Sequence, residues 1–381
     1  MPDSRAPASP WWRSLVKPFG RRRSAPALRA EPKVKPRVMY LVRNFPQVTQ
    51  TYIKNEIDAL WDDYEISLIS LTHPNVPYKR HIPFQRIEDL GLIREQIEEF
   101  RPGVLHCHYL SNAPTFAALI RDHRVETPFT FRAHSYDAMG SSAFAAQAAP
   151  VINHELCLGV LAYPYTRPLL EGAGIRPDRI HDCFPVVNVP KFHDRSPNGT
   201  AVMNIGAAIP KKRMEDFVDL AAMTPGLEFD LYGVGWVVDE LRQYKASKGA
   251  PVNIIDPVEP DDMPGEYKRH AWLVYTACRE MKTVGWPMAV AEAQASGVGV
   301  CMPNLRPDLR EFVGASTILY DTIDEVADLI RRPPAAELRE AGFENARKSD
   351  IWRHKTVLTD LWAPVLDRQP RAESRIAASV G

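Results

Sequence analysis

The chain of 381 residues has no Gly-x-Gly-x-x-Gly, no Cys-x-x-Cys and no apolar run approaching the length of a membrane span. The first absence argues against an ordinary dinucleotide site, whose glycines let the backbone approach a pyrophosphate. The second leaves five scattered cysteines, Cys107, Cys157, Cys183, Cys278 and Cys301, which suit reduced thiols rather than a disulfide framework or a zinc site. With no span, and no apolar core followed by a small-residue cleavage site near Met1, the expected location is the cytoplasm. Net charge is missing too. The 47 Lys and Arg balance 47 Asp and Glu, so there is no global case for nucleic acid or an acidic partner.

What is present is a globular composition, 45% hydrophobic and 25% charged, on a chain long enough for two ordinary domains. Residues 1–36 stand apart as a disordered basic arm. Up to Arg37 the chain is rich in proline and carries ten Lys or Arg against Asp3 and Glu31, too little apolar surface to offset the entropy of ordering. Two readings of the arm stay open. It is a solvated tail, cut short as a helix by Pro18 and Gly20. Alternatively, Trp11, Trp12 and Arg21 to Arg23 make peripheral contact with an anionic inner-membrane face, each basic residue contributing about 1 kcal/mol.

From Arg37 strands alternate with helices. Strand-like runs at 37–42, 64–71, 103–110, 128–135, 158–163 and 180–187 are separated by helical runs at 52–62, 93–102, 113–124 and 165–174. A polar, turn-rich linker at 193–200 follows. The grammar then restarts, with strands at 201–207, 227–235, 252–258, 271–277 and 297–304. Helices are expected between them, and at 323–332 and 335–349. Such alternation predicts parallel sheets, hence an α/β protein of two Rossmann-like doubly wound domains facing a cleft. The boundaries are 37–192 for an acceptor domain and 201–348 for a nucleotide-sugar domain. A helix over 349–366 could cross back to the first domain, and a flexible tail occupies 367–381.

Ligands of such sheets sit outside the carboxyl ends of the strands, which singles out the residues just after each one. The polar loop 44–51 leads into a helix whose first amides could meet an anion or a sugar hydroxyl, unless it is simply a capped turn. His106 and His108 alternate on a strand. A metal would need further ligands that the sequence does not show, so structural hydrogen bonding is preferred and no metal is expected. His134, with Asp137 three residues on, suits either orientation of a polar ligand or local capping.

Lys211, Lys212 and Arg213 cluster where a helix should begin. Helix N-termini already favour anions, so a cationic run there points to a phosphate ligand, the alternative being a solvated surface run. The "YGVG" turn would let a ligand approach closely. Glu292 is the one acid in the alanine-rich segment 284–300, between Pro287 near a helix start and Gly297 at its stop. A carboxylate accepting from two hydroxyls is a natural grip on a ribose; otherwise Glu292 is a buried acid in need of a partner that the neighbouring sequence does not supply.

Taken together, these residues resemble the GT-B retaining glycosyltransferases of family four, the group of colanic-acid and other exopolysaccharide transferases. The resemblance covers roughly residues 37 to 365. "FPQVTQTYIKNEI" is similar to the family's FPxxSETFIxxEI, "VLHCHY" to its HxH strand and "AHSYD" to its HGxD-like segment. "NIGAAIPKKRMEDF" resembles GRLxxxKG, and "GWPMAVAEAQASGVGV" resembles EGxPxxxxEAMAxGxPV. The ordered set of five motifs carries the likeness. It implies donor-side contacts at Gly206, Lys211, Lys212, Arg213, Gly285 and Glu292, and catalytic roles for Lys212 on the diphosphate and His134 beside the donor sugar.

Two positions depart from the family. The arginine of its pyrophosphate-binding pair is Ala207 here, and the first glutamate of its E-x7-E signature is Val284. Lys211 or Arg213 is then the candidate second cation, and Glu280 a candidate replacement acid. The resemblance implies transfer of a sugar, with retention, from a nucleotide diphosphate sugar to a glycan, lipid-linked or small-molecule acceptor, without a metal cofactor. The alternatives are a catalytically impaired GT-B binding or scaffold protein, favoured by Ala207 and Val284, and a nucleotide-sugar epimerase, disfavoured by the "FPQVTQT" loop.

Overall fold

The structure, a computed structural model, describes residues 34–140, 142–281 and 283–367. The arm expected over 1–36 and the tail over 367–381 lie outside them, apart from residues 34–36 and Asp367.

Two parallel sheets organise the chain. The first contains β1 (Arg37–Asn44), β2 (Glu65–Thr72), β3 (Gln85–Arg86), β4 (Val104–His108), β5 (Phe129–Arg132), β6 (Cys157–Ala162) and β7 (Ile180–Asp182), in the order β3-β2-β1-β4-β5-β6-β7. The second contains β8 (Ala201–Ala207), β9 (Phe229–Val234), β10 (Val252–Ile254), β11 (His270–Val274), β12 (Gly299–Pro303) and β13 (Thr317–Tyr320), in the order β10-β9-β8-β11-β12-β13. Every pairing is parallel. Both are doubly wound Rossmann-like domains whose strand order reverses at the same place, between β1 and β4 and between β8 and β11. Those two reversals open crevices beyond the strand ends, so the loops after β1, β4, β8 and β11 supply the walls of any site.

β4, β11 and β12 are buried along their whole length, as parallel strands covered by helices on both faces must be. Polar residues in such strands need internal partners. His270 on β11 places Nε2 at 3.0 Å from Asp230 Oδ2, and Asn204 on β8 donates to the Val274 carbonyl and to Thr276 Oγ1. The final helix, Ile351–Leu366, packs on the first domain. Its Leu358, Trp362 and Leu366 join the apolar cluster of Val38, Tyr40 and Leu161, and Trp362 Nε1 donates to Thr130 Oγ1 at 3.0 Å.

Local differences from the sequence reading have physical causes. Helix Ser142–Ile152, with Pro150 inside it, is not marked by the periodicity of its alanine-rich sequence, since small side chains give little contrast between its two faces. The helix expected over 323–332 is only Asp324–Ala327, and the chain turns before Pro333 and Pro334. Pro287 is the N-cap of helix Met288–Ala295 rather than part of its first turn, while Gly297 (φ 73°) follows its end. Linker residues 193–200 are tied to the second domain, where Lys268 Nζ donates to the Ser196 carbonyl at 2.7 Å and Gly199 N donates to the Lys268 carbonyl at 2.8 Å.

Candidate functional site

A cleft of about 380 Å³ is lined by both domains. From the first come Val48 to Tyr52 after β1, Tyr109 after β4, and His134 to Tyr136 after β5. From the second come Gly206 and Ala207 at the end of β8, Lys211 and Lys212 after it, and Tyr275, Met288 and Glu292. These are the residues that strand-order reversal brings to the crevices.

Lys212 is part of the second-domain wall. A single turn, Pro210–Lys212, follows β8 and is pinned in place: Thr276 Oγ1 donates to the Lys212 carbonyl at 2.7 Å, and Cys278 N donates to the Lys211 carbonyl at 2.9 Å. The Lys212 ammonium lies 4.2 Å from the centre of the Tyr275 ring. Burial, with Lys211 as a second contribution, pushes its pKa down to about 7. Lys211 Nζ donates to the Thr283 carbonyl at 3.3 Å, and burial lowers its pKa as well. Among the described residues neither lysine has a carboxylate partner. Gly206 (φ 150°) stands beside them; a side chain there would reach toward the Lys212 ammonium.

Arg213 is not in the cleft. It takes a left-handed conformation (φ 46°), faces solvent and pairs with Asp216 at 2.7 Å. Gly285 does not line the cleft either. Its Cα packs against Ser135 and Tyr165 of the first domain with no room for a Cβ, so its task is close approach between domains. Glu280 is exposed and accepts from Cys278 Sγ at 3.0 Å, outside the cleft. Of the substitutes for the missing arginine and acid, only Lys211 lies at the site. Ala207 lines the cleft, whereas Val284 is 1% exposed in the apolar cluster with Trp286 and Phe312. The "YGVG" turn brings Gly235 (φ 154°) against the Ala208 backbone, so the close approach it permits is between loops.

Glu292 has the partner that its neighbouring sequence did not reveal. Tyr267, 25 residues upstream, donates from its hydroxyl to Glu292 Oε2 at 2.8 Å. Burial raises the Glu292 pKa, and the Tyr267 hydrogen bond and Lys191 oppose that rise. The carboxyl still lines the cleft.

On the opposite wall His134 caps the short helix Ser135–Met139 in a capping box with Asp137, whose Oδ2 accepts from the His134 N–H at 2.8 Å. Its Nε2 lies 3.2 Å from Nδ1 of His108, and its ring packs at 4.5 Å and 4.3 Å from those of Tyr52 and Tyr109. Behind His108 sits Glu56, fully buried and unmarked in the sequence except as the acid of "NEI". Glu56 Oε1 accepts from Tyr40 at 2.9 Å and lies 3.0 Å and 3.3 Å from the Nε2 atoms of His106 and His108. Oε2 accepts from Arg132 Nε at 2.8 Å.

Burial alone would raise the Glu56 pKa. Arg132 and the two imidazoles outweigh it and hold the carboxyl well below its ordinary range. Burial lowers His106, and lowers His108 to about 4, so both rings are neutral at neutral pH. The ligand atoms of Glu56, His106 and His108 lie within 4.8 Å of one another, close enough for a cation. Arg132, however, already neutralises the carboxylate, so a dication there would add uncompensated buried charge. The arrangement fits an ion pair with hydrogen-bonded histidines better than a metal centre.

No protein-family model matches the sequence, and no curated protein does. The fold has clear counterparts among solved structures. HepE of Anabaena in complex with UDP-glucose superposes at TM-score 0.67 and 15% identity, covering 87% of this chain and all of that one. Sucrose-phosphate synthase of Thermosynechococcus elongatus gives TM-score 0.67 at 14% identity over 86% and 100%. AviGT4, a glycosyltransferase involved in avilamycin A biosynthesis, gives 0.57 at 16% identity over 88% and 99%. The architecture is therefore GT-B, two Rossmann-like domains facing a cleft. No helix among the described residues is long and apolar enough to cross a membrane.

Proposed function

We propose that this protein is a retaining glycosyltransferase that moves a sugar from a nucleotide diphosphate sugar to a glycan, lipid-linked or small-molecule acceptor. The observation that carries the reading is the Lys211–Lys212 couple after β8, without a carboxylate partner among the described residues and facing the same cleft as Glu292. Two ammonium groups held without counter-charge in a partly dehydrated wall are a receptor for a diphosphate. Glu292, oriented by Tyr267, grips the ribose through its hydroxyls.

In the transition state Lys212 and neighbouring backbone amides stabilise the charge developing on the departing diphosphate, and that phosphate takes the acceptor proton. His134 shapes the sugar end from the first domain. No metal enters this scheme. Lys212→Ala should abolish most turnover of a UDP-, GDP- or ADP-sugar panel; near-wild-type nucleotide release would overturn the diphosphate assignment.

One observation favours a second reading, nucleotide binding without turnover. Val284, where the resemblance places a sugar-binding acid, is buried in an apolar cluster and offers the donor sugar nothing polar. Thermal stabilisation by a nucleotide sugar without nucleotide release over any acceptor would decide for it.

A further inference from the structure

Tyr136 carries an aromatic ring from the first domain across to the second. The Lys211 ammonium lies 5.8 Å from its ring centre, and both residues line the cleft. Other polar groups on the first-domain wall are already engaged. The hydroxyls of Tyr52 and Tyr109 are hydrogen-bonded to each other, and His134 Nε2 faces His108 Nδ1 at 3.2 Å. Tyr136 differs. It is 48% exposed, and among the described residues its hydroxyl has no hydrogen-bond partner. Ring and hydroxyl are both available to a ligand in the cleft.

The ring is also held in place. The short helix Ser135–Met139 is fixed at its start, where Asp137 accepts from the His134 N–H and Ser135 packs on Gly285. At its end Gly140 N–H donates to the Tyr136 carbonyl at 2.9 Å. The Tyr136 ring lies against Gly140, where no Cβ would fit, and 5.7 Å from the ring of Phe144. A contact group placed in advance loses little freedom when a ligand arrives.

We propose that Tyr136 is a binding residue for the sugar that the diphosphate carries. The inference rests on the diphosphate reading of Lys211 and Lys212. The sugar is bonded directly to the outer phosphate, so an ammonium that neutralises the diphosphate marks where the sugar begins, and the ring beside that ammonium is within its reach. Aromatic faces carry negative charge and attract the weakly positive C–H groups of a pyranose. A phenol both donates to and accepts from sugar hydroxyls. Tyr136 thereby supplies from the first domain a polar contact that Val284, buried beside Trp286 and Phe312, does not supply from the second.

Calorimetry on the full chain tests this by pairing each nucleoside diphosphate with its sugar esters: UDP with UDP-glucose, UDP-galactose and UDP-N-acetylglucosamine, GDP with GDP-mannose, and ADP with ADP-glucose. Tyr136→Phe keeps the ring and loses the oxygen. It should weaken at least one nucleotide sugar about threefold to tenfold, the range of one neutral hydrogen bond, and leave the matching nucleoside diphosphate unchanged. Tyr136→Ala should weaken the same nucleotide sugar further. A tyrosine that only supports the fold would shift both members of a pair together, so equal shifts overturn the proposal, as does wild-type affinity of every nucleotide sugar in both variants. Melting curves verify that the variants fold. A nucleoside diphosphate that binds with an unaltered pair ratio sinks the role of Tyr136 alone, whereas failure of UDP, GDP and ADP to bind the unmutated chain sinks the diphosphate reading and this role with it.

Discussion

Tyr267 and Glu292, 25 residues apart in sequence, meet in a 2.8 Å hydrogen bond that holds one carboxylate oxygen and turns the group toward the cleft. Glu292→Gln should weaken UDP binding about tenfold to a hundredfold by calorimetry, the range of one hydrogen bond to a charged group. Tyr267→Phe removes an interaction that lowers the Glu292 pKa, which burial has already raised. On the proposed ribose grip, which needs the ionised carboxylate, affinity should fall off on the acid side at a higher pH in Tyr267→Phe than in wild type. Coincident acid limbs would refute the role given to Glu292.

Lys212 gives the opposite limb. Its pKa, lowered to about 7 by burial, means that at pH 8 the free protein holds it mostly neutral. A diphosphate binds the protonated form, so binding at pH 8 should take up a proton, visible as a dependence of calorimetric heat on buffer ionisation enthalpy. Affinity for a nucleotide sugar should decline as pH rises above 7. Lys212→Met should abolish the uptake. Linkage sets the sign for stability as well: between pH 7 and the usual lysine range the unfolded chain binds the extra proton, so without ligand stability rises with pH across that window.

Gly285 faces Ser135 across the domain boundary, and a methyl at Gly285 would collide with it. Gly285→Ala should cost about 1–3 kcal/mol, the usual penalty of overpacking, and lower the melting temperature. Ser135→Gly in the same chain should recover much of it. Absence of recovery would place the collision elsewhere.

Glu56 and Arg132 form a buried pair, 0% and 2% exposed. Glu56→Gln leaves the guanidinium without its counter-charge and should cost about 3–5 kcal/mol in urea unfolding, with the Glu56→Gln/Arg132→Met double variant less impaired than the sum of its parts. Because Glu56 titrates well below the ordinary carboxylate range, its contribution is present at all pH values above that range and is lost as pH falls through it and below.

The alternation that reveals both sheets is plain in the sequence because parallel strands read as apolar runs and their connections as amphipathic helices. The cationic turn at Lys211 and Lys212 and the acid Glu292 could be singled out because each breaks a local preference. Arg213 could not be separated from its neighbours, since its left-handed backbone and its pairing with Asp216 exist only in three dimensions. Tyr267 was hidden by distance along the chain. Glu56 was hidden by ordinariness, as one glutamate in an amphipathic helix, and only the approach of β4 and β5 shows it to be a hub.

The polypeptide passes between the two domains twice, once after β7 and once before helix Ile351–Leu366, and the two passages are stitched side by side. Val187 donates to the Ser349 carbonyl at 2.8 Å and Ile351 donates to the Val187 carbonyl at 2.9 Å. A single covalent tether would let one domain swivel freely on the other. Two tethers bonded to each other make one two-stranded joint, which restrains how either domain can turn on the other.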